Sequence, residues 1–254
     1  MKIRIVGSAA RNPAARQYVS SYLINHRVAI DAGCLGVYGS PQDQAAVDHV
    51  FLTHSHIDHC ASLPVFLENR YGLAPQCPVI YGSGHTIDSL QRHIFNDVVW
   101  PDFIKLSAHI RPFLRLQSLE AEKPVEAEGL RITPVAVHHV VPTFAYLVSD
   151  GQATVIFAAD SGPTDRLWEL ASQLPSLQGV FLEASFPNSM RSLAEISLHL
   201  TPEMFAAEVA KLPPSTRAIA VHIKVAYREK VVQELSGLGI PTLEIGECET
   251  DYTF

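Results

Sequence analysis

Cysteine is scarce and badly placed for cross-linking. Its four copies, Cys34, Cys60, Cys77 and Cys248, stand far apart with no C-x-x-C pair. That excludes a disulfide framework and a thiolate zinc site, and it fits a reduced, cytoplasmic setting. Runs of positive charge are also missing: the 19 Lys and Arg are scattered and the formal net charge is −7. No stretch can track a phosphate backbone, so large nucleic acids are poor partners. No apolar run has the length needed to cross a bilayer, and no membrane partner is expected. Met1-Lys2-Ile3-Arg4-Ile5-Val6 has charges inside its apolar run and lacks a long apolar region, so it reads as a first strand and not as a leader. Internal repeats, low-complexity segments and linkers are absent as well. With 47% apolar and 18% charged residues a disordered chain is excluded, and 254 residues suit one large α/β domain over 1–254.

What the chain does have is a cluster of metal-binding side chains. Thr53-His54-Ser55-His56-Ile57-Asp58-His59 is an H-x-H-x-D-H pattern directly after the apolar run Val50-Phe51-Leu52. Such a run reads as a buried strand, so its polar side chains hang from the loop at the strand's C-terminal end. Imidazole and carboxylate are donors for zinc, iron or manganese. The spacing lets His54 and His56 serve one ion and Asp58 and His59 another. Cys60 follows directly and reads as an inert buried thiol.

The rest of the chain alternates strands and helices unevenly. Strands are expected over Ile3–Val6, Ser20–Ile24 and Val28–Ile30, the last ending in Asp31-Ala32-Gly33, with a loop from Gly36 to Gln44. Ser62–Glu68 reads as a helix behind the motif, with Pro64 in its first turn. Pro78–Gly82 is a strand, and a helix from Thr86 carries His93 and Asn96 as far as Trp100-Pro101, where proline ends it. Strands follow at Leu130–Val137, Phe144–Val148 and Ala153–Ala158, with a hairpin turn at Asp150-Gly151. A helix over Thr164–Gln173, a strand at Gly179–Leu182 and a helix with Thr201 as N-cap and Pro202 at its first position come next. Ala218–Val221, a helix over Glu229–Leu238 and a strand at Thr242–Ile245 complete the chain.

Polar groups stand at the ends of these apolar strands in a recurring way: the opening motif, His138-His139, Asp160 and His222. Each alone reads as an ordinary hydrogen-bonded side chain. Together they complete a dinuclear site, with His54, His56 and His139 on one ion, Asp58, His59 and His222 on the other, and Asp160 bridging. His138 and His139 both qualify as the third histidine. Asp31, at the end of its strand, reads as a hydrogen-bonding partner of the motif loop. His26, His49, His85 and His109 follow no pattern.

These residues resemble the metallo-β-lactamase superfamily, and the resemblance covers most of the chain. It implies an α/β fold, an αββα sandwich with two divalent metal ions at one edge. Zinc is the first choice, and manganese or iron are also acceptable to these donors. An aspartate at 160 is similar to the phosphodiesterase and glyoxalase-like thioesterase branches, whereas the lactamases proper place a cysteine there. By the same resemblance His139 is preferred to His138. Phe181-Leu182-Glu183-Ala184-Ser185-Phe186, His199-Leu200-Thr201-Pro202 and His222-Ile223-Lys224 look like the class II cyclic-nucleotide phosphodiesterases, as does the string from His93 to Asp102. The chain departs from that group at Ile57, at Pro64 to Asn69 and at Gly7-Ser8-Ala9-Ala10, which replaces a glycine-rich first loop. The C-terminal motifs also resemble the tRNA 3′-end processing endonucleases. Those carry a long insertion where this chain has the Asp150-Gly151 hairpin.

The resemblance therefore implies a phosphodiesterase acting on a small cyclic nucleotide, cAMP or cGMP, with a homodimer as the family's assembly. The alternative is another hydrolase on the same scaffold, an RNA endonuclease or a thioesterase or lactonase. His199 is expected to act as general acid, oriented and kept protonated by Glu183. Asp58 is expected to orient the attacking water in addition to binding metal. The bland alternative makes His199 a cap for the helix at Thr201 and Glu183 a surface carboxylate. His93 and Asn96 read either as a lining of the nucleotide pocket or as a structural polar pair, and Trp100 as core or as a stacking platform.

Overall fold

The computed structural model describes residues 1–8 and 17–254. Ala9 and Ala10 of the first loop lie outside the described residues. The chain forms two compact units, one of residues 2–120 and 248–253, the other of residues 121–247 with the two terminal residues. Each holds a mixed sheet of seven strands.

In the first unit, β1 (Lys2–Ile5), β2 (Tyr22–Ile24), β3 (Val28–Ile30), β4 (His49–Phe51), β5 (Val79–Gly82) and β6 (Arg115–Ser118) lie side by side in chain order, and the C-terminal strand β14 (Asp251–Thr253) adds beyond β1. β3 to β6 are parallel, whereas the pairings of β14, β1, β2 and β3 are antiparallel. Parallel pairs need crossovers, and these are supplied by α1 (Pro41–Ala45), α2 (Ile57–Cys60), α3 (Leu63–Arg70), α4 (Gly84–His93) and α5 (Phe103–Ser107). Leu63, Phe66 and Leu67 of α3 and Leu90 of α4 pack with Val50 of β4 and Ile80 of β5, all at most 1% exposed. Removing a ring such as Phe66 from such a site costs about 3–5 kcal/mol. Pro64 sits in the first turn of α3, as its sequence position requires.

In the second unit, β7 (Val125–Ala127), β8 (Leu130–Val137), β9 (Thr143–Ser149), β10 (Thr154–Phe157), β11 (Leu177–Glu183), β12 (Arg217–Val221) and β13 (Leu243–Ile245) are likewise ordered as in the chain. β7 to β10 pair antiparallel, and β10 to β13 pair parallel. Two antiparallel steps make β8 run the same way as β10, β11 and β12. The C-terminal ends of those four strands therefore lie along one edge of the sheet, and they release His139, Asp160, Glu183 and His222. The crossovers are α6 (Arg166–Ser172), α7 (Arg191–Ser197) with α8 (Pro202–Val209), and α9 (Arg228–Ser236). Ile156, Val180, Leu182, Ala218 and Ala220 form the core with Leu167, Phe205 and Val231 from the helices. Phe157, Phe181 and Ile219, on alternate strand positions, are at most 2% exposed as well, which is why these strands read as continuous apolar runs.

Several elements differ from the sequence expectation, and α2, α5, α7, β6, β7 and β14 have no counterpart in it. The helix after β5 stops at His93 instead of reaching Trp100. Asn96 ends it: Nδ2 donates to the Arg92 carbonyl at 2.9 Å, and Oδ1 accepts from the N–H of Val98 and Val99 at 3.0 and 2.9 Å. Gly36–Gln44 is not wholly loop, because Ser40 and Asp43 form a capping box that opens α1. Thr201 does occupy the N-cap of α8, but its side chain makes no capping bond. Among the described residues no helix is long and apolar enough to cross a membrane.

Candidate metal centre and acid pair

In the first unit the histidine motif is folded around Asp31. β4 stops at Phe51, and Thr53 N–H and its hydroxyl both reach Asp31 Oδ1, at 2.8 and 3.0 Å. His59 Nδ1 lies 2.7 Å from Asp31 Oδ2. The Thr53 hydroxyl gives its proton to the carboxylate, so its lone pair can accept from His54 Nδ1 at 2.9 Å. Each contact fixes a tautomer: protonated at Nδ1, both His54 and His59 carry their lone pair on Nε2, the form that ligates a metal. The His54 ring centroid is 4.6 Å from that of His56 and 4.1 Å from that of His59. Asp58 Oδ2 is 3.9 Å from His59 Nε2. His54 and His59 are buried, whereas His56 and Asp58, at the start of α2, are half-buried.

The loop after β3 and the segment before β2 are both stitched to this motif by backbone. Ala32 N–H donates to His59 O and Ser20 N–H to Asp58 O, both at 2.8 Å. Asp31 itself has φ +60°, a left-handed conformation that costs a non-glycine residue energy and is seen at functional sites. Burial pushes its carboxyl pKa up, against the charge and hydrogen bond of His59 and the bonds from Thr53. Burial, with the charges of Asp31 and Asp58, pushes the Cys60 thiol up to about 12, consistent with an inert side chain.

In the second unit His139 is buried and His138 is exposed. His139 Nδ1 donates to the Leu198 carbonyl at 3.1 Å, which again leaves the lone pair on Nε2. Asp160 is buried, with Oδ1 3.4 Å from His222 Nδ1. Ala159, Leu198 and His222 have φ of +60°, +54° and +53°. Three non-glycine residues in the left-handed region beside these side chains mark backbone held for function by its surroundings.

Glu183 ends β11 and is fully engaged. Its Oε1 accepts from His199 Nδ1 at 2.7 Å and from Ser161 N–H at 2.9 Å, and its Oε2 from the Ser185 hydroxyl at 2.6 Å and Leu200 N–H at 3.2 Å. Glu183 is 1% exposed and His199 7%, so neither is a surface side chain. The His199 ring stacks on His222 and meets His139 edge-on, with centroids 5.7 and 5.1 Å away. Burial works to lower the His199 pKa. The charge and hydrogen bond of Glu183, with Asp160, outweigh it and hold the pKa above the ordinary histidine value. Donor atoms of Glu183, His199 and His222 lie within 4.8 Å of one another. With both Glu183 oxygens occupied by donors, the His199–Glu183 contact has the chemistry of a charge-assisted acid pair and not of a metal site.

His93 and Asn96 belong to the first unit. His93 is the exposed last residue of α4, and Asn96 spends its side chain on the turn that ends the helix. Trp100 is half-buried and lines an apolar cavity of ≈ 320 Å³ with Tyr71, Phe103 and Phe113. Reading of the sequence overlooked Ser185 and Ser161. Only the position of Ser185, two residues past Glu183 on the same face of the extended chain, signals its contact with that carboxylate.

The donor set fits divalent ions. Histidines locked by protein acceptors at Nδ1, with carboxylates beside them, are what such ions require. Residues 26–223 match the family described as Beta-lactamase superfamily domain, and the chain belongs to that superfamily. Over 184 residues it is 26% identical to a probable 3′,5′-cyclic-nucleotide phosphodiesterase of Yersinia pestis, covering 66% of this chain and 51% of the relative. It is also 29% identical over 191 residues to 3′,5′-cyclic-nucleotide phosphodiesterase 1 of Saccharomyces cerevisiae, covering 64% and 50%. The matched regions thus span about half the length of these two relatives. The crystal structure of unliganded yeast PDE1 superposes with a TM-score of 0.76 at 20% identity, covering 96% of either chain, and shows the metallo-β-lactamase fold.

Proposed function

We propose that this protein is a metal-dependent phosphodiesterase that opens 3′,5′-cyclic nucleotides, cAMP or cGMP, to 5′-nucleotides. The observation that carries the reading is the buried His199–Glu183 pair, joined at 2.7 Å, with the pKa of His199 held above its ordinary value. In this reading His54, His56 and His139 would hold one divalent ion and Asp58, His59 and His222 a second, with Asp160 available to both. Zinc is the first choice and manganese or iron the others. Divalent ions on such donors supply Lewis acidity toward phosphoryl oxygens and toward water.

The chain's own residues do the remaining work. Opening a cyclic diester expels the ribose 3′ oxygen, a poor leaving group that needs a proton as the P–O bond breaks. His199 donates to Glu183 through Nδ1, so its Nε2 proton is the one available to that oxygen. Glu183 stabilises the imidazolium before transfer and holds the ring in one orientation. Asp58, half-buried in the first unit, orients the attacking water. A small-molecule substrate, a cytoplasmic location and a homodimer complete the proposal.

The test is product identification. Purified protein is incubated with cAMP, cGMP and bis(p-nitrophenyl) phosphate, and the products are resolved by phosphorus NMR. A 5′-monophosphate from either cyclic nucleotide supports the proposal. Cleavage of the artificial diester alone moves the substrate to another phosphodiester, such as RNA. Inactivity on all three in a metallated sample overturns the proposal and directs attention to thioesters and lactones.

A further inference from the structure

We infer that Ser185 is a positioning residue whose single hydroxyl ties His222 to the Glu183–His199 pair and sets the ligating tautomer of His222. The inference rests on the reading of His222 as a metal ligand and of His199 as the acid. Ser185 is fully buried. Its Oγ lies 2.6 Å from Glu183 Oε2, 3.1 Å from His222 Nδ1, 3.1 Å from His222 O and 3.4 Å from His199 Nδ1.

A hydroxyl has one proton to give. The charged carboxylate oxygen at 2.6 Å takes it ahead of the carbonyl at 3.1 Å, because a hydrogen bond to an ionised acceptor is the shorter and stronger one. The Oγ lone pairs then face His222 Nδ1, which must be the donor of that contact. His222 is thereby protonated at Nδ1 and presents its lone pair from Nε2. The same hydroxyl holds Oε2 of Glu183, which leaves Oε1 directed at His199 Nδ1. One side chain thus orients a metal-site histidine and the carboxylate behind the acid.

The backbone places Ser185 for this task. Ala184 N–H donates to Val221 O at 3.0 Å, and Lys224 N–H to Ser185 O at 3.2 Å, so the segment after β11 is clamped across the turn that carries His222. Those bonds do not involve the hydroxyl and persist when it is removed. His222, at φ +53°, then has Asp160 Oδ1, 3.4 Å from its Nδ1, as the competing acceptor. Turning to Asp160 misorients the ring and engages a carboxylate that the metal reading needs.

The experiment compares wild type, Ser185→Ala, Ser185→Cys and Ser185→Thr. Zinc affinity is measured by competition with a chromogenic chelator. The His222 ring is followed by long-range proton–nitrogen correlation in the metal-free protein, and kcat and KM are measured on whichever diester is turned over. For Ser185→Ala and Ser185→Cys, zinc affinity is expected to fall about 10–100-fold. Their His222 resonances should lose the single Nδ1–H pattern, and kcat should fall with KM little changed. Ser185→Thr, which keeps the hydroxyl, should return both affinity and kcat to within a few fold of wild type. Wild-type zinc affinity and an unchanged His222 spectrum in Ser185→Ala would overturn the inference. So would a Ser185→Thr protein as impaired as Ser185→Ala while melting like wild type. The chelator and NMR readouts do not need turnover, so they decide the role of Ser185 even if no cyclic nucleotide is hydrolysed.

Discussion

Glu183 Oε1 and His199 Nδ1 meet at 2.7 Å, and the carboxylate accepts three further hydrogen bonds from Ser161, Ser185 and Leu200. A carboxylate can accept all four, but an amide cannot. Glu183→Gln puts an NH₂ group against donors that then lack an acceptor in a buried site. It should destabilise the protein by about 1–3 kcal/mol, read as a lowered midpoint in urea. A variant as stable as wild type would mean that these bonds are not all formed together.

His199→Ala should separate substrates by leaving group. For cyclic nucleotides kcat should fall about 10²–10⁴-fold, the range for loss of a general acid. For bis(p-nitrophenyl) phosphate the loss should stay under about tenfold, since p-nitrophenolate leaves without a proton. Metal content should not change. Equal losses on both substrates would remove His199 from the acid role.

Among the described residues the side-chain bonds of Asp31 go to Thr53 and His59 of the motif loop, so its replacement isolates orientation from chemistry. Asp31→Asn should weaken zinc binding about 10–100-fold, measured by chelator competition. Gly33 offers a steric counterpart, because a Cβ there would stand 2.1 Å from Asp58 O and 2.8 Å from Ser20 N and O. Gly33→Ala must therefore move the metal loop, at about 1–3 kcal/mol of stability. Unaltered zinc affinity in either variant would contradict the geometry.

Acid should loosen the pairing of β1 with β14. Hydrogen bonding to Arg4 and then Lys2, helped by both charges against partial burial, holds Asp251 down at about 2. A depressed folded pKa gives stability that is present above the unfolded value of 3.8 and is lost as pH falls through about 2. The pair is partly exposed, so its worth is about 0.2–1 kcal/mol. Asp251→Asn should lower the urea midpoint at pH 6 and leave it unchanged near pH 2. A difference that persists at the lower pH would assign the effect to something other than this charge.

The centre of each sheet was legible in the sequence, as was the edge strand β13, but the other three edges were not. Strands buried on both faces over most of their length, such as β4, β10, β11 and β12, carry short unbroken apolar runs, and the polar residues that follow those runs stand out by contrast. β6, β7 and β14 are edge strands with one neighbour each. Little of their surface has to be apolar, so Arg115-Leu116-Gln117-Ser118 and Asp251-Tyr252-Thr253 carry no such signal. The end of α4 was misplaced because Asn96 caps it with its own side chain, and that outcompetes the more visible stop at Pro101. The role of Ser185 was overlooked for a related reason: its spacing from Glu183 hints at one contact, but its contact with His222, 37 residues away, leaves no local pattern.

The most direct measurement is cyclic-nucleotide turnover followed as metal is removed by chelation and returned by titration, with bound metal quantified in each sample. Hydrolysis of cAMP or cGMP should disappear with the metal. It should return in proportion to occupancy and reach its full rate at about two ions per chain. A fully metallated protein that leaves both cyclic nucleotides intact would contradict the proposed function.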